Sequence, residues 1–152
     1  MAEAWHPSIG DICCAFRDLA DEVGETSGTL LDPGVEQTVR HLIEDLEVFV
    51  PGLDPVPDAE AGQAMARASH VALERGNERD AVVRAMRGLS FAPHDPTLHY
   101  ALSSACFELG RVELAFRLLC HALWINPGYH AARQDLEALS AFLEGGEEDR
   151  AA

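Results

Sequence analysis

The second half of this chain repeats itself at a step of 34 residues. A glycine, an alanine and a proline each return at that step, as Gly76 and Gly110, Ala81 and Ala115, and Pro93 and Pro127. The stretches between these residues carry apolar side chains at helical spacing. A step of this length with helical periodicity is typical of stacked pairs of antiparallel helices, which usually form binding surfaces.

Each repeated residue predicts a helix boundary or a close contact. Gly110 follows a helical stretch, where a residue that adopts positive φ ends the helix and begins a tight turn. Ala115 lies where two helices of a pair come closest, so only a small side chain fits. Pro127 lacks a backbone donor and ends the second helix. The same holds one repeat earlier, where Asp95 and Pro96 also predict the start of the next helix.

On these residues the chain resembles the tetratricopeptide repeat family, over about residues 63–143. The family's first helix carries a large residue, a leucine, a small residue and another large residue. The second repeat supplies them as His99, Leu102, Ser103 and Cys106, and the first as Met65, Ala68, Ser69 and Ala72. The resemblance implies an all-α fold, a short α-solenoid of antiparallel helix pairs made of two repeats and a closing helix.

The first 58 residues predict a separate, acidic helical hairpin. Apolar residues at spacings of three and four run from Ile9 to Val23 and again from Val35 to Phe49. We expect this hairpin to cover the open end of the stack, because terminal repeats must shield an apolar face. The alternative is that it fills the groove of the repeats. A proline-rich connector leads to the repeat domain at 59–144, and we expect Gly145 and Gly146 to end its last helix before a disordered tail at 145–152.

The charge of the chain argues against a nucleic-acid partner. The formal net charge is −15, and all 11 basic residues are arginine. Residues 1–58 hold 13 acidic residues against Arg17 and Arg40. We therefore expect no nucleic-acid partner, since phosphates would be repelled. The sequence shows no apolar run long enough for a membrane span and no signal peptide, which predicts a cytoplasmic protein.

The sequence shows no motif for catalysis or for a metal site. It lacks a nucleophile elbow and a phosphate-binding loop, so we expect no enzymatic activity. The four cysteines form no CxxC pair and predict reduced, structural thiols, namely Cys13, Cys14, Cys106 and Cys120. His94, His99, His121 and His130 cluster around the second repeat, where facing helices would bring His99 near Cys120 or His121. Their spacing is not that of a ligand set, and we expect no metal and no cofactor.

The resemblance also implies where a partner would bind, because the first helices of successive pairs line a groove in this family. The corresponding positions are Gln63, His70, Leu73, Glu74, Thr97, Tyr100, Ser104, Phe107, Glu108, Gln134 and Phe142, together with Ala66 and Ala138. This surface is apolar and aromatic and is edged by Glu74 and Glu108. It favours a protein partner, a peptide or helix with apolar anchors and some basic residues.

These features predict a bacterial-style adaptor or scaffold for protein–protein interaction. Two alternatives remain: a dedicated chaperone or assembly factor, similar in size, charge and repeat type to the translocator chaperones of type III secretion, or an accessory of metalloenzyme maturation. One subclass is disfavoured. Family members that clamp the acidic tails of heat-shock chaperones use basic and amide side chains, whereas the matching residues here are Ala66, His70, Tyr100 and Ser104. Homo-oligomerisation is not indicated.

Overall fold

A computed structural model describes residues 8–25, 32–49 and 58–151, with side chains up to residue 145. These ranges form seven α-helices and no strand, which confirms the predicted all-α class. The helices are α1 (Ile9–Glu25), α2 (Pro33–Leu46), α3 (Ala59–Glu74), α4 (Glu78–Phe91), α5 (Pro96–Glu108), α6 (Val112–Ile125) and α7 (His130–Ala151). Across the described part of the chain, no helix is both long and apolar enough to cross a membrane.

The turns after α3 and α5 have the same geometry. Gly76 and Gly110 have φ of 77° and 81°, as the sequence predicts. In the first turn the Asn77 amide donates to the Ala72 carbonyl at 2.9 Å, and the equivalent bond after α5 runs from Arg111 at 2.8 Å. A Cβ at either glycine would meet no atom within 4 Å, so glycine is required there for its backbone conformation.

Close helix packing follows each turn. Ala81 and Ala115 are fully buried, as predicted. The Ser69 hydroxyl of α3 donates to the Ala81 carbonyl of α4 at 2.8 Å, which links the two helices of the first pair. The helices α4 and α6 both end two residues before a proline. Asp95 caps α5 by accepting a hydrogen bond from the Thr97 amide at 3.0 Å.

The N-terminal hairpin packs on the second helix of each pair. The main contact of α1 is with α4, whereas α2 contacts α1 and α6. Their fully buried apolar side chains include Ile12 and Phe16 of α1 and Ile43 and Leu46 of α2. The two helices α1 and α2 thus span both pairs, a wider contact than a cap on the open end, and among the described residues their main contacts do not involve α3, α5 or α7. The groove-filling alternative does not describe this arrangement.

Ion pairs connect the hairpin to the helices beneath it. Arg111 lies 3.5 Å from Glu36, and Arg87 lies 3.4 Å from Asp21. Arg117 also pairs with Glu47, just after α2. The side chains of these pairs are between 19% and 57% exposed. Ion pairs that solvent still reaches contribute about 0–1 kcal/mol each, so burial of apolar side chains provides most of the adhesion.

The end of α7 differs from the prediction. The helix continues through Gly145 and Gly146 to Ala151, where the sequence predicted an end and a disordered tail. A glycine ends a helix when it adopts positive φ, and in the described residues only Gly76 and Gly110 do so. Gly145 therefore keeps a helical conformation, and Glu147 and Glu148, which follow, are good helix formers.

Candidate functional site

A half-open groove lies between α3, α5 and α7, with α6 as its floor. It encloses a cavity of about 390 Å³. The lining residues are Leu73, Ser103, Ser104, Phe107, Glu108, Ala115, Leu119, Asp135, Ala138, Leu139 and Phe142. Most of these side chains are apolar, both charged ones are acidic, and none is basic. Such a surface attracts apolar groups flanked by positive charge.

The structure brings together about half of the predicted groove residues. Leu73, Ser104, Phe107, Glu108 and Phe142 all line the cavity, and Ala138 lies among them. They come from three helices that are far apart in sequence. The turn and packing rules of the repeat are what place these helices side by side.

Two phenylalanines form the most exposed apolar part of the groove. Phe107 is 42% exposed and Phe142 is 61% exposed. Their ring centroids lie 6.4 Å apart with an interplanar angle of 78°, an edge-to-face contact between α5 and α7. Exposed aromatic pairs are uncommon on a surface that contacts only water, and they are frequent in binding sites.

Tyr100 is held in place at the other end of the groove. Its hydroxyl donates to Asp135 Oδ2 at 2.7 Å, and its ring makes an edge contact with Tyr129 at 5.3 Å. Burial, followed by the hydrogen bond to Asp135, raises the pKa of Tyr100 to about 12. Tyr100 therefore remains a neutral donor at physiological pH and connects α5 to α7.

The remaining predicted residues lie outside the cavity lining. His70 is exposed, with its ring 6.2 Å from that of Tyr100. The Thr97 hydroxyl donates to Asp95 at 2.7 Å and supports the helix cap instead of facing a partner. Gln63, Glu74 and Gln134 are exposed on the three helices. These residues are available for contact at the edges of the groove.

Sequence reasoning missed part of the lining. The missed residues are Ser103, Ala115, Leu119, Asp135 and Leu139. Ala115 and Leu119 belong to α6, which the family pattern treats as a core helix. Asp135 had a detectable signal, because it follows Tyr100 by 35 residues, as Phe142 follows Phe107. Residues of α5 and α7 that contact each other are therefore 35 residues apart in the sequence.

A buried histidine pair lies away from the groove, beside α2. The rings of His99 and His121 make an edge contact at 4.5 Å, which agrees with the predicted proximity. His99 Nε2 bonds the Pro93 carbonyl at 2.8 Å, and His121 Nδ1 lies 3.4 Å from Glu47 Oε1. Their other ring nitrogens are buried without a partner among the described residues.

Burial keeps both histidines neutral. Desolvation, reinforced by His121, lowers the pKa of His99 to about 3. Desolvation, reinforced by the positive charge of Arg117, lowers the pKa of His121 to about 4. Within the ranges that the structure describes, no three His, Cys, Asp or Glu side chains are arranged to hold a metal ion.

The cysteines are free thiols in the described residues. Cys106 is buried in α5, and desolvation raises its pKa to about 12. Burial also raises the pKa of Cys13 and of Cys120. These three thiols are therefore less nucleophilic than an ordinary cysteine, since the thiolate is the reactive form. Cys14 differs because it is exposed on α1.

No protein-family model matches this chain, and no curated protein matches it. What distinguishes the molecule is the groove itself. It combines an exposed aromatic pair, acidic residues and a position that α1 and α2 leave open.

Proposed function

We propose that this chain is a non-enzymatic protein-interaction module, an adaptor or scaffold of the tetratricopeptide type. Its groove binds a peptide or helix of a partner protein. The observation that carries this proposal is the exposed pair of Phe107 and Phe142 in a groove that α1 and α2 do not occupy.

Apolar burial provides the affinity in this mechanism. A partner side chain that packs against the two rings displaces water from both phenylalanines and from Leu73 and Leu139 in the same lining. Burial of apolar area is worth roughly 25 cal/mol per Å², and part of this is lost to the ordering of the partner. A few well-buried anchors therefore account for most of the binding energy.

Charge determines which partners enter. Glu108 and Asp135 lie in the groove lining, Glu74 is exposed near it on α3, and the chain carries a net charge of −15. A partner with basic residues beside its apolar anchors gains from this field, both in its rate of association and in its orientation. An acidic segment is repelled.

Replacing Phe107 by alanine is expected to weaken binding by about 2 kcal/mol, because the edge-to-face pair and its apolar area are lost. The measurement is retention of the partner from a lysate of the source cells, followed by the dissociation constant of the purified pair. Phe91→Ala is the matched control, since Phe91 is 38% exposed on α4 outside the groove.

Circular dichroism of both variants separates a binding effect from a folding effect. The proposal is contradicted if Phe91→Ala weakens the complex as much as Phe107→Ala. It is also contradicted if Phe107→Ala retains the partner while remaining folded. A partner that is insoluble without this chain would favour the chaperone alternative over an adaptor.

A further inference from the structure

Asp135 has unused capacity to accept hydrogen bonds in the groove. Its Oδ2 accepts the Tyr100 hydroxyl at 2.7 Å. An ionised carboxylate offers about four lone-pair sites on two oxygens. Asp135 is exposed and lines the cavity, and it makes no ion pair with any described residue. The Tyr100 bond fixes the orientation of the carboxylate while leaving room for a charged donor.

The chemistry of that donor follows from the carboxylate. A guanidinium presents several N–H groups in a planar fork and forms charge-assisted bonds to a carboxylate. Because Tyr100 already occupies part of Oδ2, the incoming group needs to engage mainly Oδ1.

The groove also constrains the backbone of the partner. An extended peptide needs hydrogen-bond partners for its backbone along its whole length. The cavity lining contains no Asn or Gln, and Gln63 and Gln134 lie outside that lining. The Ser104 hydroxyl donates to the Tyr100 carbonyl at 3.2 Å, so its donor is already used. A helix satisfies its own backbone and presents only side chains, which suits this apolar lining.

The distance between Asp135 and the aromatic pair determines how far apart the two contacting residues of a partner helix must be. Asp135 and Phe142 lie seven residues apart on α7. This corresponds to two turns, or about 10 Å along the helix. A partner helix aligned with α7 would therefore meet Asp135 and the aromatic pair with residues about seven positions apart.

We propose that the groove selects an amphipathic helix in which an arginine lies seven residues from an apolar anchor. The arginine pairs with Asp135, and the anchor packs against the paired rings of Phe107 and Phe142. This inference rests on the proposed function, and it makes Asp135 the residue that determines specificity.

The test begins with a phage-displayed library of random peptides, about 20 residues long, selected against the full-length chain. Enriched peptides are synthesised with the arginine and with glutamine in its place, and dissociation constants are measured for four proteins. These are the wild type, Phe107→Ala, Asp135→Asn and the control Glu137→Gln, an exposed α7 residue outside the groove lining. Asn at 135 can still accept the Tyr100 bond through its one amide oxygen, so this variant removes the negative charge and the second acceptor oxygen while it keeps the link to α5.

We expect the enriched peptides to be helical when bound and to contain the seven-residue spacing. Asp135→Asn should weaken binding of the arginine peptide by about tenfold and leave the glutamine peptide nearly unchanged. Glu137→Gln should change neither. The inference is overturned if Asp135→Asn affects both peptides equally, or if the enriched peptides bind in extended form or lack the basic residue. Binding that does not depend on Phe107, or failure to enrich any peptide, overturns the proposed function itself.

Discussion

Lowering the pH from 7.5 to 5.0 is expected to reduce the free energy of unfolding by about 4 kcal/mol, through His99 and His121. Both rings are fully buried and in contact at 4.5 Å. In the folded chain the pKa of His99 is lowered to about 3 and that of His121 to about 4, against 6.5 for an unperturbed histidine. Each histidine thus contributes about 2 kcal/mol to the loss at pH 5.0.

The sign follows from proton binding. Below pH 6.5 the unfolded chain binds protons at these histidines, whereas the folded chain keeps them neutral. Their stabilising contribution is therefore complete above pH 6.5 and is lost as the pH falls from 6.5 towards the folded values of about 4 and about 3. The chosen window lies above the usual range of carboxylates, so the two rings dominate the change.

Urea unfolding at the two pH values measures this effect. His121→Gln should reduce the loss to about 2 kcal/mol, because one titrating ring is removed. His41→Gln is the control, since His41 is exposed on α2 and bonds only the neighbouring Gln37 among the described residues. A loss smaller than about 1 kcal/mol in the wild type would show that the folded chain also protonates the pair.

Replacing Gly88 by alanine is expected to destabilise the fold by about 2 kcal/mol. Gly88 lies in α4 at the point where α3 and α5 both approach it. A Cβ there would be 2.3 Å from Leu98 Cδ2 and 3.0 Å from Met65 Cβ. Leu98 is fully buried, so it has no free space to move into. The overpacking outweighs the gain in helix propensity from glycine to alanine, which is about 1 kcal/mol.

Thermal and urea unfolding compare this variant with Gly24→Ala. Gly24 lies in α1, and the nearest atom to its added Cβ is a Val83 methyl at 3.9 Å. This control should leave stability unchanged or raise it by a few tenths of a kcal/mol. Equal stability of Gly88→Ala and the wild type would mean that α3 and α5 do not approach α4 this closely.

The 34-residue step was sufficient to predict the helix pairs. Gly76 and Gly110 require positive φ, and that requirement is local, so it is visible in the sequence. The position of the N-terminal hairpin was not predictable. The apolar pattern of α1 shows that one face of the helix is buried, but it does not show which other helix covers that face. The location of the hairpin depends on long-range contacts, including the pairing of Glu36 with Arg111.

The repeat also allowed part of the groove to be predicted. Phe107 and Phe142 could be assigned through the repeat, since residues on one helix face share a spacing. Asp135 follows Tyr100 at the same 35-residue step that relates Phe142 to Phe107, but the hydrogen bond between Tyr100 and Asp135 joins two helices, and no pattern within one helix specifies it. The floor residues Ala115 and Leu119 belong to α6 and become part of the groove only through the packing of three helices around it.

The most direct test of the central claim is photo-cross-linking from inside the groove. A benzophenone amino acid is placed at Phe142 and, in a separate protein, at Phe91 on α4, and each is irradiated in the source cells. We predict that Phe142 yields cross-links to a partner protein and that Phe91 does not. Cross-links from Phe142 to α1 or α2 of the same chain, or partner cross-links from Phe91 alone, would contradict the claim that this groove is the binding surface.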